Sequence, residues 1–409
     1  MKDSQEVTGT PGEKAGYLLN DVLIVGGGPA GNQAALSLSR QGYSVVVVDH
    51  RVRLGDKLCT GIVGRECAER YRVSAELVRL RARAATIVSP TGRAVVIERS
   101  EDQAYVIDRV RFVSSIAGAA MAAGADYRLG GRVAALAIDD SGVHATVVSD
   151  GRTSIVRARS VIIATGFGSA LPRSVGLEAA GTPTFAAQTT IKCTDIESVQ
   201  VYAQWSLPQG FFGWVVPTLP GEALAGVIGR RRPKSALNSM LEGLKDQGVQ
   251  FEISGPVRSW GVPLKPAARS YGERVLLVGD VAGQVKPTTG GGIYYAMRCA
   301  DIAGEVLGAA LASGDLTSDA LRPYEERWQL LLGRELKLGY FARRIYEQLG
   351  VRELDSLLAL TATNGLLKDG VKFDWHSDIV SRALGHRLFE GILSPFTRMG
   401  RRVGVGADD

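Results

Sequence analysis

Apolar residues fall into short runs over the first three quarters of the chain, and into spaced, helix-like positions after residue 315. Residues 22–25 (VLIV) form one such run and 43–48 (YSVVVV) a second, with a small-residue stretch between them. Runs of that length bounded by glycine predict two buried strands around a helix. Residues 73–107 carry AATIVSP and AVVIE joined by a Thr-Gly turn, which predicts hairpin strands of a second sheet. An alanine-rich helix follows from residue 109, then a meander broken at DDSG and SDG that ends in the buried run SVIIATG. Between 171 and 270 the texture changes, with strand-like stretches at 199–204, 213–216 and 223–229 and prolines at 208, 217, 220 and 233. A buried strand returns at 275–278, runs through Gly279 and Asp280, and leads by a glycine-rich loop into a long apolar helix. Beyond it, 321–349, 353–367 and 378–389 read as helices.

This pattern divides the chain into a polar leader (1–19), a first nucleotide-binding part with the meander (20–170), a substrate sheet (171–270), a return of the first domain (271–315) and a helical carboxyl-terminal region with a glycine-rich tail (316–409). The expected fold class is α/β: a Rossmann-like domain of discontinuous chain, an inserted mixed sheet and terminal helices.

Composition changes this picture little. The 50 glycines among 409 residues suit an α/β protein in which backbone approaches a ligand. Four cysteines (59, 67, 193 and 299) form no Cys-x-x-Cys pair, so a reducing cytoplasm is the default. The four histidines are too scattered to suggest a metal centre. The net charge of +6 comes without a basic repeat, so nucleic acid is not expected as a partner. The leader lacks an apolar signal core, and no stretch reaches the roughly 18 apolar residues of a lipid-spanning helix. Membrane association is therefore expected to be peripheral at most.

The chemistry concentrates in four places. Gly26, Gly28 and Gly31 form G-x-G-x-x-G between the first strand and its helix, and Asp49 ends the second strand. In that arrangement the first glycine makes the tight turn, and the second lets backbone approach a pyrophosphate. The third lets helix pack on strand, while the acid accepts from ribose hydroxyls. An acid there argues against a 2′-phosphate. Next, a glycine-rich loop at 55–64 surrounds Cys59, which reads either as a small buried residue or as a thiol lining the reaction chamber. Arg109 opens the alanine-rich helix and is the charged residue expected near the cofactor. Finally, Asp280 can accept from a ribityl-type hydroxyl, and three glycines at 290–292 let backbone lie against a planar ring at a positive helix end. Phe211, Phe212 and Trp214 are candidate walls of an apolar chamber.

GGGPAGNQAALSLSRQGYSVVVVD, Asp108–Arg109, ATG at 164–166 and VGDVAGQVKPTTGGGI at 278–293 resemble the FAD-dependent oxidoreductases built like p-hydroxybenzoate hydroxylase. CTGIVG at 59–64, FFGWVVP at 211–217 and GDVAGQVKPTTGGGIYYAM resemble more narrowly the geranylgeranyl reductase family. The resemblance runs from about residue 20 to 385. It implies FAD, with Gly26, Gly28 and Gly31 on its pyrophosphate, Asp49 on the adenosine ribose, and Arg109 beside the pyrophosphate and ribityl region. Gly279 and Asp280 would meet the ribityl chain, and 287–292, including Pro287, Gly290, Gly291 and Gly292, would lie along the isoalloxazine. Cys59 matches a cysteine in the pocket beside the ring. The family's aromatic–proline motif is represented by Phe212, Trp214, Val216 and Pro217, with phenylalanine where the family usually has tyrosine. The pocket so loses a phenol.

The activity implied is reduction of carbon–carbon double bonds in isoprenoid chains, by hydride from N5 of the reduced flavin to one alkene carbon and a proton to the other. The implied substrates are geranylgeranyl groups on an ether lipid, a quinone side chain or a chlorophyll precursor. Electrons would come from an external donor, NAD(P)H or ferredoxin, since no second dinucleotide fingerprint follows a strand. A cytoplasmic enzyme touching the inner face of the membrane peripherally is implied by such a substrate. Two other classes share the scaffold: a flavin monooxygenase or halogenase, and a redox partner resembling the electron-transfer-flavoprotein:quinone oxidoreductases. The latter normally carry a cysteine cluster, which the carboxyl-terminal region lacks beyond Cys299.

Overall fold

The structure is a computed structural model and describes residues 19–55, 59–363 and 372–385. The expected leader up to residue 18, the tail, and the ends of two expected helices at 364–367 and 386–389 lie outside the described residues. Along the chain the helices are α1 (Pro29–Arg40), α2 (Arg65–Arg70), α3 (Arg109–Ala122), α4 (Leu171–Ser174) and α5 (Pro233–Asp246). They continue with α6 (Ile293–Ser313), α7 (Ser318–Tyr346), α8 (Val351–Thr363) and α9 (Ser377–Gly385).

The first sheet is built around strand Asn20–Val25, which pairs in parallel with Val45–Asp49 on one side and Arg152–Ile163 on the other. Val275–Leu277 adds in parallel beyond Arg152–Ile163, and Asp126–Leu129 beyond Val45–Asp49. A strand from residue 275 thus completes a sheet begun at residue 20. Unbroken apolar runs need cover on both faces, and they have it. One face packs under α1, α3 and α6, with Val22, Ile24, Val45 and Val47 in one core with Phe112, Met297 and Leu307. The other packs under the antiparallel strands Arg132–Asp139 and Gly142–Ser149, through Leu23, Val46, Val48, Val133 and Ala145.

The second sheet runs in the order Glu252–Ile253, Pro183–Lys192, Glu222–Gly229, Phe212–Leu219, Val199–Ala203, Ala84–Val88, Ala94–Glu98, with Arg258–Pro263 also paired to Pro183–Lys192. The hairpin at Ala84–Val88 and Ala94–Glu98 belongs here, joined in parallel to Val199–Ala203. Strands Val78–Ala82 and Ala104–Ile107, which flank this hairpin and were not read as strands, form a small three-stranded sheet with Ile62–Gly64. Pro183–Lys192 was not legible as a strand, although three others pair with it. Its middle, from Ala186 to Thr189, is buried on both faces, so no alternation marks it.

Side chains alternate across this sheet. One face, with Ala187, Val215, Ala225 and Val227, is sealed by Leu237, Met240 and Leu244 of α5. The opposite face carries Phe212, Trp214, Ile228 and Trp260, and it meets the loop before α6 at Val285. Residues 321–349, read as one helix, fall mostly within the 29-residue α7, and α8 and α9 follow. Among the described residues, no helix is long and apolar enough to cross a membrane.

Candidate active site

The turn between strand Asn20–Val25 and α1 is shaped by contact. Gly26 has φ +109°, and a Cβ there would stand 2.5 Å from the carbonyl oxygen of Ala164. A Cβ on Gly31 would fall 1.8 Å from the oxygen of Gly26, so the helix can lie this close only with glycine. Gly28 differs: a Cβ there would meet nothing within 4 Å. Gly28 is also the N-cap of α1, with no side-chain cap, Pro29 at the helix start and no acid in the first turn. The backbone thus leaves an open, positively polarised cradle. Beside it the hydroxyl oxygen of Thr165, in the ATG segment, is buried and finds no partner.

Asp49 borders the cradle and is 4% exposed. Its Oδ2 accepts from the Gly27 amide at 2.7 Å and its Oδ1 from the Arg51 amide at 2.8 Å. Each carboxylate oxygen retains further lone-pair capacity for hydroxyl donors. Arg109 is the first residue of α3, which the Asp108 side chain caps by accepting from the Arg111 amide. Its guanidinium donates to the Gly55 carbonyl at 2.6 Å and so ties α3 to the loop after Asp49.

On the other side of the cradle, Gly279 approaches α1: a Cβ there would stand 3.3 Å from Cβ of Ala30. Asp280, in the 3-10 turn Gly279–Ala282, lies against the start of α6, where a Cβ on Gly292 would be 2.9 Å from Asp280 Oδ1. The intervening loop closes on itself, the Lys286 amide donating to the Gly291 carbonyl at 3.0 Å and the Gly290 amide to the Lys286 carbonyl at 2.8 Å. Gly290 faces the second sheet, within 3.2 Å of the Ile228 side chain and 3.6 Å of Val262 for a Cβ placed there. Pro287 and Thr288 rest on α7 at Gly339, where a Cβ would come 3.1 Å from Pro287.

The glycine loop therefore looks onto a wall of hydrocarbon and aromatic rings. Phe212 and Trp214 stand 6.0 Å apart, centroid to centroid, and the Arg343 guanidinium lies over Phe212 at 5.6 Å. Phe211, expected in the same wall, packs instead into the core under α5. Thr60, the neighbour of Cys59, reaches the wall through Gln188: Thr60 donates its hydroxyl to Gln188 Oε1 at 2.9 Å, and Trp214 Nε1 donates to the same oxygen at 3.2 Å. Cys59 is half-buried, and its Sγ accepts weakly from the Gly61 amide at 3.4 Å.

Behind the loop lies a buried polar cluster. Asp374 accepts from the Glu66 and Cys67 amides at the start of α2, and Glu335 of α7 accepts from the His376 and Ser377 amides. His376 Nδ1 meets the Thr288 hydroxyl at 2.6 Å, and Lys286 donates to the Phe373 carbonyl at 2.6 Å. Burial and the neighbouring ammonium push the His376 pKa down to about 3, while burial raises that of Asp374.

The FAD binding domain family matches residues 20–331. Digeranylgeranylglycerophospholipid reductase 2 of Methanothermobacter thermautotrophicus is 33% identical over 355 residues, spanning 83% of this chain and 90% of that protein. Digeranylgeranylglycerophospholipid reductase 2 of Methanopyrus kandleri is 31% identical over 362 residues, spanning 82% and 89%. The chain belongs to the geranylgeranyl reductase family. It is an FAD-dependent oxidoreductase of that family. Its fold is also that of a geranylgeranyl bacteriochlorophyll reductase-like protein from Thermoplasma acidophilum, with TM-score 0.84 and 21% identity over 94% of this chain and 100% of that one. The flavin-dependent brominase Bmp2 has the fold at TM-score 0.69 and 17% identity, covering 94% and 100%. The residues present fit FAD: the cradle is open at Gly28, its amides are uncapped, and carboxylates stand on both sides of it.

The structure brings Gly26, Gly28, Gly31, Asp49, Gly279, Asp280 and Gly292 around one cradle. Gly290 faces Phe212 and Trp214 of the wall, and Cys59 is tied to it only through its neighbour Thr60. Sequence reasoning missed Gln188, Trp260, Lys286 and the segment 373–377. Lys286 stood within a quoted motif, and its signal was a charge in an apolar, glycine-rich loop. The short segment 373–377 has no periodicity to read.

Proposed function

We propose that this enzyme saturates carbon–carbon double bonds of geranylgeranyl chains carried on a lipid, a quinone or a chlorophyll-type precursor. The observation that carries the reading is the face formed by Phe212, Trp214, Ile228 and Trp260 opposite the glycine loop at 290–292. Such a wall suits a polyprenyl chain, whose burial is favoured by apolar contact and which asks for no hydrogen bonds. When bound, FAD supplies the hydride chemistry. Gly26, Gly28, Gly31, Asp49, Arg109 and Asp280 hold it, and 287–292 set the plane on which its ring rests. Phe212, Trp214 and Ile228 hold the alkene in place and exclude water. Cys59, at the edge of the wall, holds the proton for the second alkene carbon.

The relatives that carry the name digeranylgeranylglycerophospholipid reductase support the lipid-linked chain among the three carriers. An external donor, NAD(P)H or ferredoxin, supplies the electrons, and the enzyme meets the membrane only at its surface. The test is anaerobic incubation of the chemically reduced enzyme with a total lipid and quinone extract, read by mass spectrometry. A gain of two hydrogens per double bond in one lipid class is expected. Oxygen-dependent hydroxylation or halogenation of a substrate, with no saturation of any prenyl chain, would replace this reading by the monooxygenase or halogenase one.

A further inference from the structure

The loop along which the ring would lie contains a single charged residue, and that residue is buried. Lys286 is 4% exposed. Its backbone closes the 286–291 turn, and its side chain runs beneath the glycines, with Cδ 3.8 Å from the place of a Cβ on Gly291. The ammonium ends 4.9 Å from the centre of the Phe373 ring and 5.5 Å from that of Tyr295, and donates to the Phe373 carbonyl.

Ionisable groups face it from every element packed around it. Asp374 and His376 come from the 373–377 segment, Glu335 from α7, Tyr295 from α6, and Glu66 and Cys67 from α2. The carboxylates among them are engaged elsewhere. Asp374 holds amides of α2, Glu335 holds those of His376 and Ser377, and Glu66 takes the Trp375 indole N–H at 2.6 Å. Desolvation outweighs their attraction and brings the amine's pKa down to about 8. A neutral donor would tie the loop to Phe373 equally well. What a lysine adds at this place is a buried positive charge behind the glycine loop, on a side chain that passes under Gly291.

We propose that Lys286 is the buried cation that favours the reduced flavin over the oxidised one, held in place by the segment 373–377. This rests on the ring lying along 287–292, as in the proposed function. Two-electron reduction with uptake of one proton leaves one net negative charge on the flavin. A ring seated on Gly290 and Gly291 lies within roughly 10 Å of the ammonium. At an effective dielectric constant near 20, that pair shifts an equilibrium by about tenfold. Salt screens it little, because the ammonium is buried.

The test is reductive titration of the FAD-loaded enzyme with dithionite in the presence of redox dyes, at pH values from 6 to 10, for the wild type, Lys286→Met and Lys286→Arg. At pH 7, Lys286→Met is expected to lower the preference for reduced over oxidised FAD about tenfold. The gap should close above about pH 9, where the wild-type amine has lost its proton, whereas Lys286→Arg should keep its advantage across the whole range. Equal potentials for wild type and Lys286→Met at pH 7 overturn the proposal, as does a parallel pH dependence for wild type and Lys286→Arg. The second comparison decides alone if the methionine variant does not fold. Wild-type enzyme that titrates as expected yet saturates no prenyl chain would count against the substrate reading and leave this inference standing.

Discussion

Gly28 and Gly31 sit three residues apart in one fingerprint, yet alanine should fail at them for opposite reasons. A Cβ on Gly31 would stand 1.8 Å from the carbonyl oxygen of Gly26, whereas ordinary van der Waals contact begins at 3.4 Å. Relief requires α1 to move more than 1 Å off a strand whose residues Leu23 and Ile24 are fully buried. Overpacking of that kind costs about 1–3 kcal/mol. Gly31→Ala should therefore lower the melting temperature of the FAD-free protein and weaken FAD binding together. At Gly28 a Cβ meets nothing within 4 Å, and the backbone φ of −80° suits any residue. Gly28→Ala should leave the FAD-free protein within about 0.5 kcal/mol of wild type. The methyl would instead project into the space above the uncapped α1 amides, where the pyrophosphate is expected. Loss of one charge-assisted hydrogen bond, about 1.5–3 kcal/mol, corresponds to a roughly 10- to 100-fold weaker FAD. The assay is equilibrium titration of the FAD-free protein by flavin fluorescence, with thermal melts of the same samples. Gly28→Ala protein that binds FAD like wild type would refute the placement of the pyrophosphate, and an unchanged melt for Gly31→Ala would refute the packing argument.

Cys59→Ala should keep FAD and its reduction by the external donor, yet slow reoxidation of the reduced enzyme by a prenyl substrate roughly 10²-fold, measured anaerobically by stopped flow. Reoxidation at the wild-type rate would leave Cys59 as pocket lining. The His376 ring is buried with its pKa depressed to about 3, so the unfolded chain takes up this proton first as pH falls. Stability from this group is present above about pH 6.5 and is lost progressively between there and about pH 3, on the order of a few kcal/mol in total. His376→Gln should flatten that acid limb in denaturant melts; an unaltered limb would show that the imidazole is not held neutral.

The nucleotide half of the fold was legible because its signals are local. Four valines ending in Asp49, and glycines at fixed spacing, leave few alternatives to a strand–turn–helix–strand unit. Asp280 and the 290–292 glycines were legible for the same reason. The facing wall was only half legible. Phe212 and Trp214 announce themselves as aromatics in a strand, but which of Phe211 and Phe212 faces the loop depends on register, and a one-residue offset reverses every side chain. Gln188 was hidden because its strand is buried on both faces. The 373–377 segment was hidden because its meaning is wholly tertiary: it supplies a carbonyl to Lys286 and an imidazole to Thr288, 87 and 88 residues earlier in the chain, and a carboxylate to α2, 308 residues earlier.

The replacement of the family's usual tyrosine by Phe212 can now be weighed by geometry. Tyr346 stands edge-on to Phe212, with centroids 6.4 Å apart, and is, among the described residues, the nearest phenol the structure offers in the family's place. Its hydroxyl, however, donates to the Phe211 carbonyl at 2.6 Å, and burial raises its pKa, so its proton is both committed and held more tightly. Thr60 is closer to the wall, but its hydroxyl proton is directed at Gln188 Oε1, and an aliphatic alcohol is a far weaker acid than a thiol. The Trp214 indole proton is directed at the same oxygen. Cys59 differs from all three, because its sulfur takes part in the observed contact as an acceptor from the Gly61 amide, which leaves the S–H proton uncommitted. Of these four groups, the thiol is therefore the one whose proton no observed hydrogen bond holds, which is why the proposed proton transfer is tested at Cys59.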